Sequence, residues 1–185
     1  MIIHNGRQYA RVSDILKPFC DFSNIDEAVL NNKARIGTEV HQAINDDICQ
    51  EFPMVPVAAQ GYLDSYFKWK ERLLPSFSMA ETRLFCDEKM ITGQIDTLVK
   101  FEGENGLVLV DFKTSAQESP IVWPMQAHLY HYLLIKNGWN VSSRFLFVKL
   151  DKNGKLPTVF QYIFDQNVRA KCMDAIGLHF KIRKD

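Results

Sequence analysis

Three side chains near the middle of the chain have the types and spacing to hold a hard cation against a phosphate. The apolar run Leu107-Val108-Leu109-Val110 ends in Asp111-Phe112-Lys113-Thr114. In an extended segment, period two puts Asp111 and Lys113 on one face and Phe112 on the other. A charge pair at a buried strand end is costly unless something uses it. Taken alone, the pair fits equally well a strand that emerges into solvent. Asp96, in Gly93-Gln94-Ile95-Asp96, lies fifteen residues before Asp111 on the preceding segment. A hairpin of the two segments brings the carboxylates together, and they repel unless a cation lies between them. Carboxylates with a lysine suit Mg²⁺ or Mn²⁺, which favour oxygen ligands and often bind substrate phosphate. Such an ion polarises a phosphoryl oxygen and lowers the pKa of a bound water. Lys113 would position that water or stabilise the developing charge.

Two further groups belong with these. Gly37-Thr38-Glu39-Val40-His41 falls on a helical pattern. Glycine inside a helix costs about 1 kcal/mol relative to alanine, so Gly37 suggests close approach to another backbone. His41 alone would be an ordinary helix residue; beside two carboxylates it becomes a candidate ligand. Gln126 and Tyr130, at i and i+4 on a later helix, share one face. An amide and a phenol there could contact a phosphate and a base or sugar. Tyr130 could equally be core packing.

The elements that must position these groups follow from periodicity. Ser13 could cap a short helix that stops at Pro18, and Asn24-Ile25-Asp26-Glu27-Ala28 reads as another helix start. Apolar positions Ile36, Val40, Ala43, Ile44 and Ile48 predict a helix over 33–50; Tyr62, Tyr66, Trp69 and Leu73 predict one over 58–74. Strands are expected at 79–86, 90–101 and 107–113, with Asn105-Gly106 as a hairpin turn between the last two. The unalternating run 107–110 suggests a central strand covered on both faces. A helix over 123–136, strands at 144–150 and 158–164, and a helix over 166–181 complete the chain. This order makes an α/β protein, one sheet flanked by helices.

Composition narrows the function. The 185 residues carry 22 Lys+Arg and 22 Asp+Glu, a formal charge of zero, which argues against a non-specific basic nucleic-acid coat. A local basic groove remains open: from Arg144 onward there are nine Lys/Arg against four acids, an excess that a solvated face also explains. Trp69, Trp123 and Trp139 are candidates for base stacking, with core packing the commoner role. At 46% hydrophobic the chain can build a core, and no Pro/Gly/Ser linker divides it, so one domain over 1–185 is expected. No apolar run is long enough to span a bilayer and no secretory signal pattern opens the chain. A cytoplasmic protein is expected (mitochondrial or nuclear in a eukaryote), with no membrane partner. Cys20, Cys49, Cys86 and Cys172 form no CxxC pair, so they read as buried free thiols.

Gly37-x-x-x-His41, Gly93-x-x-Asp96, Asp111-x-Lys113-Thr114 and Gln126-x-x-x-Tyr130 occur in the order seen in PD-(D/E)XK nucleases. The chain resembles most the RecB-type and phage-exonuclease-like branch, which adds the histidine and the Gln-x-x-x-Tyr helix. The proline of the family name is absent; Ile95 stands before Asp96. The resemblance implies a restriction-endonuclease-like core and hydrolysis of DNA phosphodiesters with Mg²⁺ or Mn²⁺. It implies His41, Asp96, Asp111 and the Phe112 carbonyl as metal ligands and Lys113 as the catalytic lysine. Thr114, Gln126 and Tyr130 would contact substrate. Glu81, where relatives often carry an acid, would support the site or a second metal; a surface pair with Arg83 or Lys89 is its alternative. Some relatives hold an iron–sulfur cluster through one N-terminal and three C-terminal cysteines. Only Cys172 lies near this C-terminus, so no cluster is expected. The expected activity is a stand-alone exonuclease on linear double- or single-stranded DNA, in recombination, repair or replication, with a possible protein partner there. The alternative is a catalytically silent module that binds DNA or a recombination partner.

Overall fold

The structure, a computed structural model, describes residues 1–20 and 26–182. Its elements run β1 (Ile2–His4), β2 (Arg7–Arg11), α1 (Val12–Leu16), α2 (Glu27–Ile48), α3 (Gln60–Leu73), β3 (Ser76–Cys86), β4 (Ile91–Lys100), β5 (Leu107–Lys113), α4 (Val122–Lys136), β6 (Val141–Lys149), β7 (Thr158–Ile163) and α5 (Gln166–Lys181). All seven strands join one mixed sheet in the order β1-β2-β4-β5-β6-β7, with β3 also paired to β4. The β5–β6 pair is parallel and joined by α4, as a crossover connection requires. The expected α/β architecture, a central mixed sheet with helices on both faces, is the one observed.

Two cores flank the sheet. Ile91, Ile95, Leu98, Leu109, Phe145 and Phe147 pack under α1, α4 and α5. Val99, Val108, Val110, Phe112 and Val148 pack against Val40 and Ile44 of α2 and Leu63, Tyr66 and Trp69 of α3. The run in β5 therefore divides its side chains between both cores, which explains its missing alternation. Phe112 faces α2 and α3, so Asp111 and Lys113 turn toward α4.

Several boundaries differ from expectation. The first two strands were unforeseen: Asn5 and Gly6, at φ 48° and 73°, make a tight turn between β1 and β2. Asn105-Gly106 is not the turn between β4 and β5. The chain reverses at Phe101–Glu104, where Gly103 sits at φ 79° and the Glu104 amide donates to the Phe101 carbonyl. Gly106 instead admits a neighbour: a Cβ there would lie 2.8 Å from the Ser142 amide nitrogen. Ser13 does not cap α1; Asp14 accepts from the Arg11 amide and guanidinium. Asn24 and Ile25 lie outside the described residues, and α2 is capped by Asp26, whose carboxylate accepts from the Ala28 and Val29 amides. Cys86 and Cys172 are buried free thiols, while Cys20 is partly buried and Cys49 exposed.

One glycine seats α3 against the β6–β7 loop. A Cβ on Gly61 in α3 would lie 1.9 Å from the Lys152 carbonyl oxygen in the β6–β7 loop, a backbone atom that cannot swing away. Gly61→Ala is expected to destabilise the fold by about 1–3 kcal/mol through overpacking. Gly177 on α5 has nothing within 4 Å of its missing Cβ, and Gly177→Ala should stabilise by roughly 0.5–1 kcal/mol. Urea midpoints of the two variants, moving in opposite directions from wild type, check both.

Candidate active site

The site lies where β4 and β5 part. Their antiparallel ladder runs Val99↔Val108, Leu98↔Leu109, Thr97↔Val110 and goes no further. One more step of that register sets Asp96 opposite Asp111. Instead of a ladder bond, the Asp96 carboxylate takes the Phe112 amide, Oδ2 accepting at 2.8 Å. On the other side of β4, the β3 register (Ala80↔Thr97, Thr82↔Ile95) sets Glu81 opposite Asp96. Three acids thus stand in a row across three strands. Glu81 has φ 39°, a left-handed conformation inside a strand. Such a backbone costs on the order of 1–3 kcal/mol and persists only where its surroundings impose it.

His41 reaches this row from α2. Its Nδ1 lies 3.2 Å from Glu81 Oε1 and 3.3 Å from Asp96 Oδ2. Burial alone would push the imidazole's pKa down, but Asp96 and then Glu81 raise it well above its ordinary value. Burial would likewise raise Asp96; the His41 charge, then Lys113, hold it below the usual carboxylate range. Asp111 goes the other way. It is 1% exposed, and burial together with the Asp96 charge pushes it up to about 7, against the opposing pull of Lys113. Gly37 leaves room for a side chain rather than a backbone: its Cβ would sit 3.3 Å from Thr114 Oγ1.

The second wall comes from α4. Asp111 and Lys113 form an ion pair, and Gln126 spans it, accepting from Lys113 Nζ at 3.0 Å and donating to Asp111 Oδ2 at 3.0 Å. The same amide donates to the Tyr130 hydroxyl at 3.1 Å. Tyr130 is buried, 8% exposed. Its ring lies over Gly93, where a Cβ would come within 2.8 Å of Tyr130 Cε1 and Leu133 Cδ1. Gly93 is the residue that lets α4 sit this close to β4.

Gly37, Thr38, His41, Gln42, Glu81, Gln94, Asp96, Asp111, Lys113, Gln126 and Tyr130 enclose one cleft of about 460 Å³. Of the residues expected from sequence, His41, Glu81, Asp96, Asp111, Lys113, Gln126 and Tyr130 line it, and Phe112 and Thr114 do not. The Phe112 amide donates to Asp96, and Thr114 lies one step beyond Lys113, its carbonyl accepting from Tyr62. Thr38, Gln42 and Gln94 were not anticipated. The first two follow from helical spacing around His41; Gln94 had no signal beyond its place in the Gly93–Asp96 motif. His128 and His131 stay away from the cleft. His128 is buried, its Nδ1 donating to the Pro124 carbonyl and its Nε2 accepting the Asp165 amide. His131 accepts from Arg169, and burial pushes its pKa down to about 4.

The donor set fits a hard divalent cation. His41, Glu81 and Asp96 can each offer one atom, all within 4.8 Å of one another. Asp111 Oδ1 is buried, makes no hydrogen bond and faces only the Lys113 ammonium. Carboxylate oxygens in the majority, and no thiolate, are what such an ion takes. The basic excess of the C-terminal part does not converge on this cleft as a stripe. Arg144 pairs with Glu104, Lys149 donates to the Ala116 carbonyl, and Arg169 lies over the Tyr132 and Phe164 rings. Arg183 and Lys184 lie outside the described residues. Trp69 and Trp123 are core residues, 2% and 5% exposed, and Trp139 packs partly buried on the α4 side.

A family model described as the PD-(D/E)XK nuclease superfamily matches residues 37–173, well over half of the chain. The protein belongs to the PD-(D/E)XK nuclease superfamily, whose members use divalent metals. It shares its fold with an alkaline exonuclease from Laribacter hongkongensis, LHK-Exo, seen in complex with dAMP. The identity is 10%, the match covers 94% of this chain and 86% of that one, and the TM-score is 0.51. A phage-related exonuclease from Haemophilus somnus 129PT is 11% identical over 95% of this chain and 93% of its own, with a TM-score of 0.43. Among curated proteins, no match is found. No helix among the described residues is long and apolar enough to cross a membrane.

Proposed function

We propose that the protein is a Mg²⁺- or Mn²⁺-dependent deoxyribonuclease that degrades linear DNA from its ends. The observation that carries this is the meeting of His41, Glu81, Asp96, Asp111 and Lys113 in one cleft. His41, Asp96, Asp111 and the Phe112 carbonyl would hold the ion, with Glu81 beside them. When bound, the ion supplies a polarised phosphoryl oxygen and an acidified water. The chain's own groups do the rest. Asp111 and Gln126 hold the Lys113 ammonium in one place, where it orients the attacking water or meets the charge that develops on the phosphate. Gln126 keeps a second carboxylate oxygen of Asp111 engaged, and Tyr130 fixes Gln126. Thr114, one step beyond Lys113, would contact the substrate. Action from DNA ends rests on the histidine and the Gln126-x-x-x-Tyr130 helix, which mark the exonuclease-like branch, and on the activity for which LHK-Exo is named. Its place would be DNA recombination, repair or replication.

The test is cleavage of end-labelled linear double-stranded, linear single-stranded and closed-circular DNA with Mg²⁺, Mn²⁺ or EDTA. Loss of linear DNA alone, only with metal, is expected. Cutting of the closed circle would make it an endonuclease. Tight DNA binding with folded protein and no cleavage in any lane would mean a silent binding module.

A further inference from the structure

Gln94 lies beside the acid row without belonging to it. It pairs across the ladder with Arg83, and its side chain joins two charged groups. Its amide oxygen accepts from Arg83 Nη2; its amide nitrogen donates to Glu81 Oε2 at 2.5 Å. Glu81 then has Oε1 left for the His41 side of the cleft. Arg83 and Glu81 stand two residues apart on β3. A guanidinium at that range takes a carboxylate in a bidentate fork. Such a fork would occupy both oxygens and neutralise the charge. In this structure the fork is not made, because the Gln94 amide stands between the two groups.

We propose that Gln94 is a positioning residue: it keeps Arg83 off Glu81 and so reserves Glu81 Oε1 for a divalent cation in the cleft. This inference rests on the metal-dependent reading above. The single bond from Gln94 fixes the Glu81 carboxylate without neutralising it, as the outer partners of metal-ligating groups do elsewhere. The strained backbone of Glu81 aims the side chain, and Gln94 holds its far end. A neutral spacer of this length fits; methionine of similar size has no polar end with which to hold either charge.

The test is Mn²⁺ binding to the full chain, read by calorimetry and by the loss of the free-ion EPR signal, for wild type, Gln94→Met, Arg83→Met and the double variant. Gln94 is exposed, so the fold should survive, and unchanged melting of each variant without metal checks that. Gln94→Met should weaken Mn²⁺ binding about 10- to 100-fold, because the freed Arg83 guanidinium takes Glu81 in charge-assisted bonds that the ion must displace. Arg83→Met should bind as wild type does. The double variant should recover to within about threefold of wild type, because no guanidinium remains to capture Glu81. That recovery is what a merely structural role for Gln94 would not produce. Gln94→Met binding as tightly as wild type, or a double variant no better than Gln94→Met, would overturn the inference and leave the nuclease reading standing. A wild-type protein that takes up no Mn²⁺ would overturn both.

Discussion

Lys113→Ala is expected to lower phosphodiester cleavage by about 10²–10³-fold, the usual effect of losing one preorganised group that meets transition-state charge. The reason is how firmly the ammonium is held. It pairs with Asp111, donates to Gln126 and lies 5.0 Å from the centroid of the Phe147 ring. Its side chain is 18% exposed. A cation fixed on three sides meets developing charge without first reorganising. Its loss has a second effect of the same sign. Asp111 already titrates near 7 with Lys113 pulling it down. Without that charge Asp111 holds its proton to higher pH and is a poorer ligand. The rate of the variant should therefore recover partly as pH rises, while the wild-type rate is already near its plateau. Lys113→Gln keeps a hydrogen-bonding group but not the charge, and should be as slow as Lys113→Ala. Lys113→Arg should not rescue, since a planar fork replaces a point charge in a cleft shaped for the latter. Single-turnover rates on labelled linear DNA at saturating Mg²⁺ decide the matter. A Lys113→Ala rate within threefold of wild type would remove Lys113 from the chemistry.

What could be read from the residues alone divides along physical lines. β5 and α5 have the expected bounds, because each carries an unbroken period with a clear stop: Lys113 after an apolar run, and Gln166 to Lys181 behind an Asp165 cap. The helix start expected at 24–28 and the helix expected over 33–50 are one element, α2. Its first two turns, Glu27 to Arg35, are almost wholly exposed, so they carry no apolar stripe, and their helix is made by the Asp26 cap. Two of the four Asn-Gly pairs show the limit of a local rule. Asn5-Gly6 makes a turn between strands too short for their pattern to be noticed; Asn105-Gly106 does not, because Gly106 is needed against β6. At the site, residue types and spacing sufficed to bring Asp96, Asp111, Lys113 and His41 together. The left-handed backbone of Glu81 and the two bridging amides did not show. Gln126 was foreseen as a substrate contact, yet in the fold its amide is taken by Asp111, Lys113 and Tyr130. Which partner an amide takes depends on strands and helices that meet only in three dimensions.

Those same contacts make metal uptake strongly dependent on pH. Without metal, His41 holds its proton well above the ordinary range, because Asp96 and Glu81 outweigh the opposing effect of burial. Asp111 holds its own up to about 7 through burial and the Asp96 charge. Both must be released for these groups to act as ligands, so the ion competes with protons. Affinity changes by up to tenfold per pH unit for each proton displaced. Between pH 6 and 8, His41 should contribute up to about a hundredfold and Asp111 about tenfold more, so Mn²⁺ affinity should rise by up to about a thousandfold. Calorimetry in buffers of different ionisation enthalpy should show protons released on binding, more of them near pH 6 than near pH 8. The sign for stability is the reverse. Both folded pKa values lie above those of the unfolded chain. Asp111's contribution is complete below about 3.9 and fades up to its folded value near 7; that of His41 is complete below about 6.5 and fades above it. The metal-free protein should therefore melt at lower temperature at pH 8.5 than at pH 6, and added Mn²⁺ should close that gap. Asp111→Asn removes one of the two protons, and with it the steeper part of the curve below pH 7. An affinity that stays flat from pH 6 to 8 would show that neither His41 nor Asp111 meets the ion.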